Sequence, residues 1–516
     1  MLVNRFSLIG WHTPVVGIRV AFVAAECEPW AKTGGLADVV DALARALHQA
    51  GASELDGLVD VFLPRYRAVS VPEGAVATTV SVPDPRGGKG LSIGVLAAET
   101  HGYRLHLVDH PPAFDRDGLY GDANGDYPDN AWRFGLLCRA ALERLRMDER
   151  PPDVIHIHDW HAAPAVLLRD GLLASEPSMA RAAFVLTVHN LAYHGWTPAS
   201  QVPELGLGPG ALPKGADGLD LLKAGIGAVE IVNTVSPGFA REALTPAGGM
   251  GLDDVLRAKG DAFLGILNGL DTDLWDPAAD PALAAGYSRE NRSGKVRCRA
   301  DVLETVGMDS QDAGPVLGMI GRLDRQKGFD IVAAAVPALA ARGFRLIVQG
   351  VGTSHDVDSL RKLAGTRAMR SKVAFVERFD RDLARKIYAG VDGFLMPSRF
   401  EPCGTGQMIA LRYGTPPIVR ATGGLRDTVI DVTANPTTGT GFTFAGEAPK
   451  DLVAACDRFL ALHQAAGNAW DSLLDRGMTV DFDWRSASAP AYLDIYRRAI
   501  AFRARVSSSY LVKPPG

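Results

Sequence analysis

Cysteine is scarce in this chain: five residues in 516, at positions 27, 138, 298, 403 and 456, odd in number and scattered. Without ligand spacing or an even count they exclude a disulfide-stapled secreted fold, and they read as free thiols in a reducing compartment, so a cytoplasmic setting is expected. Long apolar runs are missing as well. The stretch IVAAAVPALAA at 331–341 falls short of the roughly 18 residues that span a bilayer and reads as a packed helix face. Residues 1–17 hold one arginine and no long apolar core, which argues for an N-terminal extension and against a secretory leader. Charge of one sign is lacking too. A net charge of −5 gives no basis for binding nucleic acid or an anionic membrane.

Hydrophobic residues at 47% and charged residues at 22% are ordinary for a soluble enzyme. A chain of this length outgrows one core, so two domains are expected. Short apolar runs recur, each followed by a helical pattern. They are expected as strands at 18–24, 58–63, 103–109, 153–158, 183–189, 230–236 and 264–269, then at 316–321, 345–350, 372–377, 393–398 and 417–421. Continuous apolar strands alternating with helices mean parallel sheets covered on both faces, and two such series mean two Rossmann-like domains. The Asp-, Pro- and Gly-rich segment 269–288 separates them. The boundaries read as 18–270 and 285–485, followed by a helix at 486–505 whose apolar stripe (Tyr492, Ile495, Tyr496, Ala499) must pack on something, and a loose tail at 506–516.

The polar clusters sit where open α/β sheets bind ligands, beyond the carboxyl ends of strands. One is HDWHA after strand 153–158. His156 and His158 share a strand face with Val154, and Asp159 is placed to cap the following helix. His156, His158, Asp159 and His161 raise a zinc site, but a metallo-hydrolase pattern needs an acid where Trp160 stands, and no second cluster follows. TGGLADVV at 33–40 recurs as TGGLRDTV at 422–429, each opening a helix. The paired glycines suit either close approach of another group or a positive φ. Neither copy is a P-loop or a dinucleotide fingerprint. Arg322 and Lys327 flank a turn before a helix, as a pyrophosphate would require, although a solvated surface pair is the commoner arrangement. Gly404, Thr405 and Gly406 open another helix as an anion cradle, with Glu401 just ahead.

Eight stretches, KTGGLADVV, HIHDWHAAP, TVHNLAYHG, NTVSPGFAREA, GILNGLDTDLWDP, GRLDRQKGFD, PSRFEPCG and TGGLRDTV, occur in the order and spacing of the bacterial glycogen synthase and plant starch synthase family, and the chain resembles that family from about 18 to 500. The resemblance implies a GT-B fold: two facing Rossmann-like domains, a cleft between them, and a C-terminal helix crossing back to the N-terminal domain. It implies retaining transfer of glucose from ADP-glucose to the non-reducing end of an α-1,4-glucan, with no metal or organic cofactor. It assigns Lys32, Arg322 and Lys327 to the diphosphate, and Gly34, Gly35, Cys403, Gly404, Thr405 and Gly406 to a cradle for phosphate and sugar. Asp159, His189, Asn190, Asn268 and Glu401 fall around the glucose, Glu26 toward the acceptor, and Phe379 against the base.

The chain departs from the pattern at Thr405-Gly406, where Leu-Thr is common, and at His194, where Gln is frequent. Ile409 stands where many other retaining GT-B enzymes carry a second glutamate. The alternatives are a UDP-glucose-dependent transferase with another acceptor, a zinc hydrolase, and an inactive glucan-binding subunit. The presence of Lys32, Arg322, Lys327 and Glu401 argues against the last.

Overall fold

The computed structural model describes residues 17–51, 54–207, 210–352 and 355–511. All twelve expected strands are present, their ends shifted by a few residues. With three further strands they form a nine-stranded and a six-stranded sheet, each flanked by helices. In space the first sheet runs Phe263–Gly265, Ile231–Thr234, Ala183–Val188, Val154–His158, Val20–Val23, Asp60–Pro64, Tyr103–Asp109, Leu91–Thr100 and Val76–Val82. The last two pair antiparallel and were not anticipated. Val76–Val82 is largely exposed, so its sequence mixes threonine and serine with valine and lacks the continuous apolar signature of the buried strands.

The second sheet is wholly parallel: Val373–Val376, Arg345–Val351, Val316–Arg322, Gly393–Met396, Pro417–Arg420 and a short unanticipated Phe442–Phe444. In chain order this is 3-2-1-4-5-6, the Rossmann arrangement, and its switch point lies between Val316–Arg322 and Gly393–Met396. In the first sheet the direction of winding reverses between Val20–Val23 and Val154–His158. Loops leaving the two strands at each reversal diverge and open a crevice.

The final helix, Ala489–Leu511, returns to the first domain. Tyr492, Leu493, Ile495, Tyr496 and Ala499 are buried in that domain's core. A polar relay pins them. Thr187 Oγ1 donates to Asn233 Oδ1 (2.8 Å), so it accepts from His156 Nε2 (2.6 Å), and His156 Nδ1 accepts from the Tyr496 hydroxyl (2.8 Å). Asn233 Nδ2 donates to the Tyr492 hydroxyl (3.2 Å). The helix runs to Leu511, beyond the expected start of the tail at 506, because no breaker precedes Pro514. Residues 1–16 and 512–516 lie outside the described residues. The outgoing and returning connections between the domains run side by side, where Leu270 N–H donates to the Phe482 carbonyl (2.6 Å). Among the described residues no helix is long and apolar enough to cross a membrane.

Candidate active site

Both switch points carry the polar loops. In the second domain, the loop after strand Val316–Arg322 brings Lys327 Nζ to 2.7 Å from Glu401 Oε2, on the loop after strand Gly393–Met396. Glu401 is buried, and Ser398 Oγ donates to the same oxygen (3.0 Å). Lys327 is therefore no solvated surface charge. Arg322 is: its side chain is 55% exposed and meets Asp324 and Gln326. Cys403 is buried beside Glu401, and the Asn268 backbone N–H donates to its sulfur, while burial pushes the thiol above its usual range. The Asn268 side chain is buried, and among the described residues its Oδ1 has no partner. Gly404, Thr405 and Gly406 follow at the start of helix Gly406–Arg412, and Phe379 stands 72% exposed past strand Val373–Val376.

In the first domain Asp159 does not cap its own helix as expected. It takes φ +57, and its carboxylate reaches the end of the neighbouring strand, accepting from the backbone N–H groups of His189 (2.7 Å) and Asn190. Two convergent N–H donors outcompete one local cap, and aspartate is among the residues that tolerate this φ. Burial, with Glu26 nearby, still raises its carboxyl to about 7 against the pull of those N–H groups. The Asn190 N–H belongs to the same trans peptide as the His189 carbonyl, so Asp159 also fixes the direction of that carbonyl. Asn190 Oδ1 accepts from Ala192 N–H (3.0 Å). His194 pairs with Asp220 (2.6 Å), whose other oxygen caps helix Leu221–Ala228.

The three clustered histidines diverge. His156 joins the relay to the final helix, His158 Nδ1 meets His189 Nε2 at 3.1 Å, and His161 stacks on Tyr120 and Trp160. Among the described residues no group of three or more His, Cys, Asp or Glu is arranged to hold a metal ion. Glu26 is spent within the protein: it accepts from Thr33 Oγ1 (2.7 Å), from the N–H groups of Thr33 and Gly34 (2.5 and 3.0 Å), and from the Tyr120 hydroxyl (2.5 Å). Lys32 pairs with Asp38 and, at 3.4 Å, with Glu28.

The two Thr-Gly-Gly-Leu copies do different work. Gly34 is extended (φ −152), and a Cβ on Gly34 or Gly35 would meet nothing within 4 Å. Nothing among the described residues demands glycine there, and the open space leaves room for close approach of a group from outside. Gly423 has φ +45 and a Cβ would lie 2.1 Å from the Glu401 carbonyl; at Gly424 it would lie 2.3 Å from the Cys403 carbonyl. This copy seats the loop carrying Glu401. Gly34→Ala is accordingly expected to leave the melting temperature unchanged. Gly424→Ala is expected to destabilise by about 1–3 kcal/mol through overpacking against backbone. Thermal melts of the two variants side by side check the contrast.

The domains meet around these loops. Ser236 Oγ donates to the Pro402 carbonyl (2.6 Å), Gly423 N–H to Glu242 (2.9 Å), and Arg381 pairs with Glu28 (2.8 Å). Tyr120, Ser398, Ser236 and the Glu28–Arg381 pair were not singled out in the sequence. Their partners lie 94, 3, 166 and 353 residues away, and only Ser398, three residues before Glu401, carried a local signal.

Residues 19–258 match the starch synthase catalytic domain model, and residues 314–461 the glycosyl transferases group 1 model. A glycogen synthase 2 of Geobacter sulfurreducens is 40% identical over 497 residues, covering 93% of this chain and 99% of that one. The chain belongs to the glycogen synthase and starch synthase family. A glycogen synthase of Halorhodospira halophila is 42% identical over 497 residues, covering 94% and 100% of the two chains. The catalytic domain of starch synthase IV from Arabidopsis thaliana, solved bound to ADP and acarbose, superposes with a TM-score of 0.85 at 33% identity, covering 94% of this chain and 100% of that one. A sucrose-phosphate synthase of Thermosynechococcus elongatus shares the fold, with a TM-score of 0.59 at 19% identity. This family member is a GT-B protein of two Rossmann-like domains.

Proposed function

We propose that the protein transfers glucose from ADP-glucose to the non-reducing 4-hydroxyl of an α-1,4-glucan, keeping the α configuration, as a step of glycogen synthesis. The observation that carries this reading is the buried Glu401–Lys327 pair at one switch point, set with the Asp159–His189 pair at the other. In the reaction the bond from the anomeric carbon to the diphosphate oxygen breaks, and its electron pair goes to that oxygen. The acceptor hydroxyl attacks from the same face and passes its proton to the departing phosphate. Lys327, Arg322 and Lys32 neutralise the charge that grows on the diphosphate, which is where preorganised cations lower a barrier. Gly34, Gly35 and the loop 403–406 supply backbone N–H groups to phosphate and sugar. Glu401, through the oxygen that Lys327 and Ser398 leave open, binds sugar hydroxyls, with Asn190 and Asn268 beside it. The His189 carbonyl, aimed by Asp159, stabilises positive charge at the anomeric carbon. Phe379, exposed as it is, stacks on the base. No metal or organic cofactor takes part in this scheme, and five buried unpaired thiols suit a cytoplasmic enzyme.

The test is glucose incorporation into glycogen from ADP-glucose and UDP-glucose in parallel, with and without EDTA. Preference for ADP-glucose, unaffected by EDTA, is expected. Preference for UDP-glucose would overturn the donor, and incorporation from neither would overturn the reading.

A further inference from the structure

We propose that His158 is a positioning residue: its Nδ1–H holds His189 in the tautomer that carries its proton on Nδ1 and presents it to the cleft. His158 ends its strand opposite Thr187 of the parallel neighbour, two residues before His189, and is wholly buried. Its Nδ1 lies 3.1 Å from His189 Nε2, so one nitrogen donates and the other accepts.

The surroundings of His158 decide which. Its second nitrogen, Nε2, is buried with no partner among the described residues, and the ring packs edge-on against Phe22 at 5.2 Å and tilted against His156 at 4.2 Å. His156 cannot serve it, because both His156 nitrogens are committed to Tyr496 and Thr187. A proton on His158 Nε2 would be a buried, orphaned N–H, the rarest kind of unpaired group, whereas a bare ring nitrogen there costs less. His158 therefore carries its proton on Nδ1 and donates. Burial keeps both rings neutral, lowering His189 to about 3 and His158 well below its usual value, so each ring holds a single proton. The proton of His189 is then on Nδ1, which has no partner among the described residues.

The consequence is chemical. With Nε2 occupied as an acceptor and Nδ1 protonated, His189 has no lone pair to offer the cleft. It donates one hydrogen bond to a hydroxyl oxygen of the bound glucosyl unit and does not act as a general base. It also resists protonation, since a proton on Nε2 would confront the His158 N–H.

The identity of the hydroxyl partner rests on the proposed glucosyl transfer, but the tautomer does not, and the experiment separates them. In the full-length protein with ring-15N histidine, His189 is expected to show a protonated Nδ1 and a bare Nε2, its signals being assigned by their loss in His189→Gln. A protonated Nε2 in the wild-type protein overturns the proposal whatever the enzyme's substrate. In kinetics with ADP-glucose, His158→Leu is expected to lower kcat about tenfold, the size of one hydrogen bond, while KM moves less than about threefold. His158→Asn, whose amide N–H falls near the position of Nδ1, is expected to recover most of that loss. An asparagine variant as impaired as the leucine variant, with an unchanged melting temperature, overturns the proposal. Should the leucine variant fail to fold, the wild-type tautomer still decides.

Discussion

Glu401→Ala and Lys327→Ala are each expected to cut glucosyl transfer by about 10²–10³-fold or more, since in the proposed scheme each removes a charge set against the reacting diphosphate sugar. Their effects on stability should differ. Glu401 is 5% exposed, and removing Lys327 strands its carboxylate with Ser398 as its remaining side-chain partner. Lone buried charges of this kind cost about 3–5 kcal/mol, and the open end of the cleft brings the expected loss for Lys327→Ala toward the lower figure. Glu401→Ala leaves an ammonium on a side chain that is already 22% exposed and free to turn to water, so its cost is smaller. The double variant should be more stable than Lys327→Ala alone, yet no more active than either. Denaturant midpoints and initial rates of all four proteins make the measurement. Near-normal rates in both single variants would remove these residues from the active site.

The second large effect is acid lability. His156, His158 and His161 are buried, and burial depresses all three, His161 to about 3 and the others well below their ordinary value. An unfolded chain takes up protons on these rings near pH 6.5, while the native chain refuses them until far lower. The unfolded state binds more protons throughout that window, so each histidine removes about 1.4 kcal/mol of stability per pH unit as pH falls below 6.5. Asp159 works the other way. Its carboxyl is raised to about 7, so the stability it contributes is complete below about 3.8 and is lost as pH rises through 7. His189, which burial likewise lowers to about 3, is a fourth such ring, and over the shared window Asp159 offsets one of the four. The net expectation is a loss of about 4 kcal/mol per pH unit between 6.5 and 4.5, a large fraction of a typical stability. His161→Phe keeps an aromatic ring among Tyr120, Phe134 and Trp160 and removes one titrating group. Urea midpoints at pH 7.5 and 5.5 should therefore converge in that variant relative to wild type. An equal pH dependence in the two proteins would reject the assignment.

How far the sequence could be read depends on the distance between partners. The buried parallel strands announced themselves because a strand covered on both faces must be apolar throughout. Their polar ends marked the cleft for the same reason. The partly covered antiparallel pair 76–82 and 91–100 had no such compulsion and lacked the continuous apolar run. Asp159 reads locally as a helix cap, and its actual partners, the N–H groups of His189 and Asn190, come from strand pairing that no local spacing encodes. Glu26 and Tyr120, 94 residues apart, are the same case. The Thr-Gly-Gly-Leu repeat teaches the converse: identical letters sit against open space at 34–35 and against backbone carbonyls at 423–424. The eight motifs gave the family, while the work of each residue depended on what lies beside it in space.

The returning helix also orders the birth of the molecule. The last strand of the first sheet ends at Gly265, but the side chains that close its core, Tyr492 to Ala499, emerge from the ribosome about 230 residues later. At ~5–20 residues per second that interval is on the order of 10–50 seconds. Throughout it the strand faces awaiting Tyr492 and Tyr496 stand uncovered, with His156 and Asn233 lacking their hydroxyl partners. The first domain to be synthesised is thus the last to be finished, and chaperone demand during translation should fall on it.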